Sequence, residues 1–170
     1  MESKNYKNWI AILDVKTCYP CRSKHGQIYG TDEYIFEKPP LHVYCRCVIR
    51  PMRAKAAGTA TNLKKNGADW WLKNIGSLPE YYITLKDAER IGYKQNKGNL
   101  STIAPGKMLV KGIYKHKDGH LPEEYARIWF EADINYNPLI GYRGADRIIF
   151  SNDGLIFVTY DHYKTFIEII

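Results

Sequence analysis

With 170 residues, 45% of them hydrophobic and 14% aromatic, the chain can form one domain, or a compact domain plus a small module, and is too apolar for wholesale disorder. No run approaches the roughly 20 apolar residues of a membrane span, and Trp9-Ile-Ala-Ile-Leu13 is too short for a signal-peptide core and has no small-residue cleavage site behind it. The net charge of +7 favours an anionic partner but is uneven: residues 1–58 hold 10 Lys/Arg against 5 Asp/Glu, and residues 59–170 hold 15 against 13.

Residues 1–53 read as a Cys/His-rich module with short strands at 8–14, 26–30 and 44–49. All four cysteines lie here, as Cys18-x2-Cys21 and Cys45-x-Cys47, separated by 23 residues and flanked by His25 and His42. The first pair has zinc-knuckle spacing; the second is tighter than the common Cys-x2-Cys. A structural zinc held by the four cysteines, or with His42 replacing one, stands beside two disulfides and free thiols as the alternatives. Zinc leads, because a piece of about 50 residues with no large core needs a staple.

Residues 54–61, small and polar, suit a linker. From 62 to 170 the pattern is that of an α+β domain with helices first and antiparallel strands after. A helix is expected over 62–75, closed by Gly76. A second, capped by Thr84 with Asp87 at its third position, runs to Ile91-Gly92. Residues 126–136 alternate with period two, the apolar set being Ala126, Ile128, Phe130, Ala132 and Ile134. Three further strands follow at 146–151, 154–160 and 165–169, the first two joined by an Asn152-Asp-Gly154 turn.

The other face of the long strand carries the chemistry. Arg127 and Glu131 share it with Trp129, and on one strand alone they would read as a surface ion pair. Arg143, Arg147 and His162 lie in turns that an antiparallel meander could gather beside them. A carboxylate, an imidazole and guanidiniums are what metal-free RNA cleavage requires. The carboxylate takes the 2′-hydroxyl proton, the imidazolium protonates the departing 5′-oxygen, and the guanidiniums meet the charge on phosphate. His116 and His120 read as solvated loop residues.

The blocks Leu78-Pro-Glu-Tyr-Tyr-Ile-Thr84, Lys97-Gly-Asn-Leu100, Ala104-Pro-Gly-Lys107, Trp129-x-Glu-Ala-Asp-Ile-Asn-Tyr136, Asp146-Arg-Ile148 and Asp161-His-Tyr-x-Thr-Phe166 together resemble the barnase-type microbial ribonucleases, the bacterial branch of the guanyl-preferring N1/T1 superfamily. The resemblance runs from about residue 66 to the end. It implies N-terminal helices packed on a twisted antiparallel β-sheet, with Glu131 as general base, His162 as general acid, and Arg143 and Arg147 on the phosphate. It implies substrate contacts from Arg127, Lys86, Tyr142 and Tyr163, and from a guanine loop containing Tyr114, Lys115, His116, Lys117 and Asp118. No cofactor is implied for catalysis.

Three positions depart from that pattern. Leu85 stands where the family has a lysine, with Lys86 one place on and about 100° around the helix. Loss of such a charge clamp would cost on the order of 2–4 kcal/mol in the transition state if nothing substitutes. Lys117 and Asp118 replace the family's arginine and glutamate. The loop Asn137-Pro-Leu-Ile-Gly141 is longer than usual.

The N-terminal pattern, Trp9-x4-Asp14-x-Lys-Thr-Cys-x2-Cys and Pro39-Pro-Leu-His-x2-Cys-Arg-Cys47, is similar to the Cys/His segment of phage Mu gpF-like head-morphogenesis proteins. A ribonuclease behind it looks like a polymorphic-toxin arrangement. That implies a monomeric secreted or delivered effector acting on RNA in a target cytoplasm, neutralised by a barstar-like acidic immunity protein. The alternative is an impaired nucleic-acid-binding or virion-associated structural protein.

Overall fold

The computed structural model describes residues 4–115, 120–122 and 124–170, and it divides into two units, Met1–Ala54 and Lys55–Ile170. In the N-terminal unit, β1 (Lys4–Ile10) pairs antiparallel with both β2 (Ile28–Gly30) and β3 (Val48–Lys55), whose last residue belongs to the second unit. A short helix, α1 (Tyr19–Lys24), follows Cys18, with Pro20 in its first turn, where a missing N–H costs nothing. The core is small: Trp9, Ala11, Cys21, Ile35 and Cys47 are buried, with Cys18 and Cys45 against them. The thiols thus lie within what little core this unit has. Cys45 and Cys47 precede β3 instead of lying inside a strand over 44–49.

The second unit is α+β, with a large, mostly antiparallel sheet and few, short helices. Its helices are α2 (Ala68–Asn74), α3 (Leu85–Arg90) and α4 (Leu100–Ile103). Its strands are β4 (Tyr82–Thr84), β5 (Met108–Ile113), β6 (Trp129–Asp133), β7 (Arg147–Ser151), β8 (Ile156–Thr159) and β9 (Ile167–Ile169). Neighbours from β5 to β9 pair antiparallel in chain order, and β4 joins β5 in parallel.

The helix expected over 62–75 is broken at Gly67. A Cβ there would sit 1.8 Å from Thr61 Oγ1, so the chain turns tightly and α2 starts afresh at Ala68. Buried Asp69 causes that turn: its carboxylate accepts the Gly58 and Ala60 N–H groups and the Thr61 hydroxyl. The small residues read as a linker are therefore folded around Asp69, with Ala60 and Thr61 buried. In α3 the expected cap is present, Thr84 Oγ1 accepting the Asp87 N–H.

Strand alternation sorts the sheet into two faces. Ala132, Ile148, Ile156 and Val158 join Ala60, Ala68, Ile134 and Ile169 in one apolar cluster, with Leu72 of α2 against it. Trp129, Ile149 and Phe157 point the other way, with Leu121. Glu131, Asp133, Arg147 and Thr159 share this second face by the period of two.

Candidate active site

On that second face the cross-strand register sets two adjacent rows, Asp133–Arg147–Thr159 and Glu131–Ile149–Phe157. Period-two alternation predicted a polar face, but not that it would be buried: Glu131 is 3% exposed, Asp133 2% and Arg147 5%. Buried charge must be paired, and here it is. Arg143 reaches back from the turn before β7 and grips Asp133 with both ends of its fork, Nε to Oδ2 at 2.7 Å and Nη2 to Oδ1 at 2.6 Å. Burial works against the Arg143 charge, but the Asp133 carboxylate holds its pKa above the ordinary value. Arg147 donates through Nη1 to the carbonyls of Gly144 and Asp146, and its Nε lies 3.2 Å from Asp133 Oδ1. That Nε is buried and makes no hydrogen bond.

Glu131 sits one row along. Tyr163 Oη donates to its Oε1 at 2.7 Å, and Lys111 Nζ (3.5 Å), Arg143 Nη2 (3.8 Å) and Arg147 Nε (3.8 Å) surround the same oxygen. Among the described residues the hydrogen bond to Glu131 falls on Oε1, and Oε2 accepts none. Burial, then the Glu131 carboxylate, pushes the Tyr163 phenol pKa up, so it remains a donor. Among these groups two carboxylates face three cations, which suits an anion such as a phosphodiester.

The turn carrying His162 is built from β8 outward. Thr159 Oγ1 donates to Asp161 Oδ1 and accepts the Tyr163 N–H. Asp161 also accepts the Thr165 hydroxyl and the N–H groups of Thr165 and Lys164. The Thr165 donors, with Thr159 and Lys164, hold its carboxyl down to about 2 despite a small desolvation cost. So tied, the chain enters the left-handed region at His162 (φ 58°) and Tyr163 (φ 71°), which non-glycine residues rarely do. His162 is exposed, its ring 4.8 Å from that of Tyr163, whose hydroxyl is on Glu131. Tyr163 therefore touches both proton-transfer candidates. Tyr114 stacks on its ring at 5.4 Å.

Other expected contacts fall elsewhere. Arg127 does not pair with Glu131: Asp153 takes its guanidinium with bonds of 2.7–3.0 Å, and Pro122 O accepts from Nη1. The reason is local, since β6 begins only at Trp129 and the chain before it turns at Ala126 (φ 62°). Arg127 lines an open groove with Tyr114, Lys115 and Trp129. Lys86 is exposed on α3, whereas Leu85 packs against the apolar cluster of Ala88, Tyr93, Leu100 and Leu109. Tyr142 is exposed. His116, Lys117 and Asp118 lie outside the described residues. Asp133, Lys111 and Asp161 were not expected in the site. The signal for Asp133 was available, two residues from Glu131 on one strand face.

In the N-terminal unit His42 Nε2 lies 3.1 Å from Cys18 Sγ and 3.2 Å from Cys21 Sγ, and Cys21 Sγ is 3.6 Å from Cys45 Sγ. Cys21, Cys45 and Cys47 form a second, overlapping group, and all four cysteines are free. A tetrahedral zinc with bonds of about 2.3 Å would set its sulfurs roughly 3.8 Å apart. His42 Nδ1 faces Val43 O at 2.8 Å. A carbonyl only accepts, so Nδ1 carries the proton and Nε2 presents a lone pair to the thiols, as a ligand must. Burial raises the Cys45 pKa, but the Cys47 and Leu41 N–H groups and Cys21 outweigh it, bringing it to about 7. These residues fit a metal. His25 does not join them, its Nδ1 accepting the Ala11 N–H.

A family model described as Phage Mu protein F like protein matches residues 1–50, and one described as ribonuclease matches residues 64–170. Ribonucleases of Heyndrickxia coagulans, Bacillus intermedius and Bacillus pumilus are each 46% identical over 104 residues, 61% of this chain. The match takes in 94% of the first relative and 63% of each of the other two. No helix among the described residues is long and apolar enough to cross a membrane. With the ribonuclease match covering more than half of its length, and a buried carboxylate, two arginines and a histidine turn on one sheet face, the chain belongs to the ribonuclease family of endonucleolytic enzymes.

Proposed function

We propose that the second unit cleaves single-stranded RNA without a metal, by transphosphorylation to a 2′,3′-cyclic phosphate that is then hydrolysed. Glu131 accepts the 2′-hydroxyl proton through Oε2. The 2′-oxygen attacks phosphorus, and His162 gives a proton to the leaving 5′-oxygen. Arg143 and Arg147 bind the phosphate, and the Arg147 guanidinium, whose Nε lies 3.2 Å from Asp133 Oδ1 without a hydrogen bond, adds its positive charge to the site. Tyr163 and Tyr114 present stacked ring faces to a base, and the loop from Tyr114 to Gly119 supplies a preference for guanine. The observation that carries this reading is the buried Glu131 carboxylate beside a cation cluster, joined through the Tyr163 hydroxyl to the turn that carries the exposed His162 ring. Purified protein in EDTA is expected to cut RNA and leave cyclic-phosphate ends, with His162→Ala lowering turnover roughly 10³-fold. Intact RNA bound tightly and released by salt would instead support a non-catalytic binding protein.

The two overlapping Cys/His groups in the first unit are read as a site for structural zinc, held by Cys18, Cys21, Cys45 and Cys47 or with His42 in place of one of them. Reduced full-length protein is expected to carry one zinc per chain by elemental analysis, and Cys21→Ser to lose it. Zinc-free, folded wild-type protein would overturn that assignment. The pairing of this module with a ribonuclease supports a delivered toxin. The positive cleft at Arg143 and Arg147 suits a barstar-like acidic immunity protein.

A further inference from the structure

Position 85 lacks the cation that the resemblance leads one to expect, and Leu85 is committed to an apolar cluster on α3. We propose that Lys111, from β5, supplies that charge and is a further catalytic residue, contacting a non-bridging phosphate oxygen in the transition state; this rests on the ribonuclease reading above.

A β-bulge puts it there. Val110 pairs with Ala132, but the next partner of the ladder, Glu131, faces Gly112, so Lys111 is the extra residue. Bulges re-aim a side chain at a site while the partner strand runs straight. Gly112 has φ 101°, a conformation that suits glycine, and it adds no side chain of its own over Glu131. The Lys111 ammonium consequently stands 3.5 Å from Glu131 Oε1, on the opposite edge of the carboxylate's strand from Arg143 and Arg147.

Its exposure decides what it is for. The Lys111 side chain is 48% exposed and that of Glu131 4%, and a half-exposed ion pair adds little to stability. A flexible ammonium at the mouth of a buried carboxylate can instead follow the charge as it moves. When the 2′-hydroxyl proton passes to Glu131 Oε2, the carboxylate becomes neutral. As the O2′–P bond forms, the charge given up by Glu131 gathers on the phosphoryl oxygens in the transition state; the P–O5′ bond then breaks as His162 protonates the leaving oxygen, which returns the phosphate to a single negative charge. Lys111 loses its ground-state partner as that charge grows beside it, so its interaction strengthens in the transition state, which is what raises kcat.

The test uses the full chain with Lys111→Ala, Lys111→Arg and the double variant Leu85→Lys/Lys111→Ala, assayed for kcat and KM on RNA, with thermal melts alongside. Lys111→Ala is expected to lower kcat roughly 10²-fold with KM changed less than about threefold. Lys111→Arg should recover most of the rate, and the double variant part of it. Lys111→Ala with wild-type kcat overturns the proposal, and so does a loss that Lys111→Arg fails to restore in a folded protein. Active Lys111→Ala beside inactive His162→Ala defeats only the Lys111 assignment. An inactive wild-type chain defeats the ribonuclease reading itself.

Discussion

Glu131→Gln is expected to lower RNA turnover by 10³-fold or more in a protein that still folds, at the upper part of the range for losing a general base. Glutamine has the same length, and its Oε1 can still accept from Tyr163 Oη, the one hydrogen bond the Glu131 carboxylate receives among the described residues. The carboxamide cannot accept a proton at the position of Oε2, so the 2′-hydroxyl keeps its own. The fold tolerates the change because Asp133, not Glu131, makes the close bonds to Arg143. Glu131→Asp separates charge from geometry, since it keeps the carboxylate but withdraws it by roughly an ångström, a displacement able to cost 10²-fold. Initial rates with a melting curve for each variant check both. Glu131→Gln turnover within tenfold of wild type would remove Glu131 from the role of base.

How much of this was legible beforehand depended on whether a residue's role is local. Period-two alternation separated Ala132 and Ile134 from Glu131 and Asp133, because strand geometry acts residue by residue. The Thr84 cap and the Asn152-Asp-Gly154 turn were legible for the same reason. The break at Gly67 was not, because its cause is Asp69 collecting three donors from residues 58–61. Nor was the parallel pairing of β4 with β5, where a three-residue strand lies 24 residues before its partner.

The site divides in the same way. Glu131, His162, Arg143 and Arg147 are legible as a polar strand face with its neighbouring turns, three of them within motif blocks, and Tyr163 links the first two through its hydroxyl and its ring. Arg127 pairs with Asp153 and not with Glu131, because the same-face rule holds along an ideal strand and the real strand begins at Trp129. Lys111 was invisible because a bulge shifts register without any marker beyond a neighbouring glycine. Asp133 was visible as a polar residue on the right face, but its partner is fixed by Arg143 folding back from ten residues away.

That partnership sets the largest stability effect expected here. Asp133→Ala would leave Arg143, whose side chain is 10% exposed, without the carboxylate that neutralises it. Breaking a buried pair from one side costs about 3–5 kcal/mol, which should appear as a lower denaturant midpoint at unchanged slope. Glu131 cannot take over at no cost, since its contact with Arg143 is 3.8 Å and its Oε1 is already engaged by Tyr163. Asp133→Ala/Arg143→Met, which removes both charges, should recover much of the loss, because an apolar pair of similar bulk can replace a buried ion pair nearly without penalty. Inorganic phosphate distinguishes a general packing defect from a charge defect. The arginines of Asp133→Ala are left needing an anion, so phosphate should raise its melting temperature more than that of the wild type, by linkage. A variant within about 1 kcal/mol of wild type, with no added response to phosphate, would mean that Asp133 is not what holds the two arginines over the cleft.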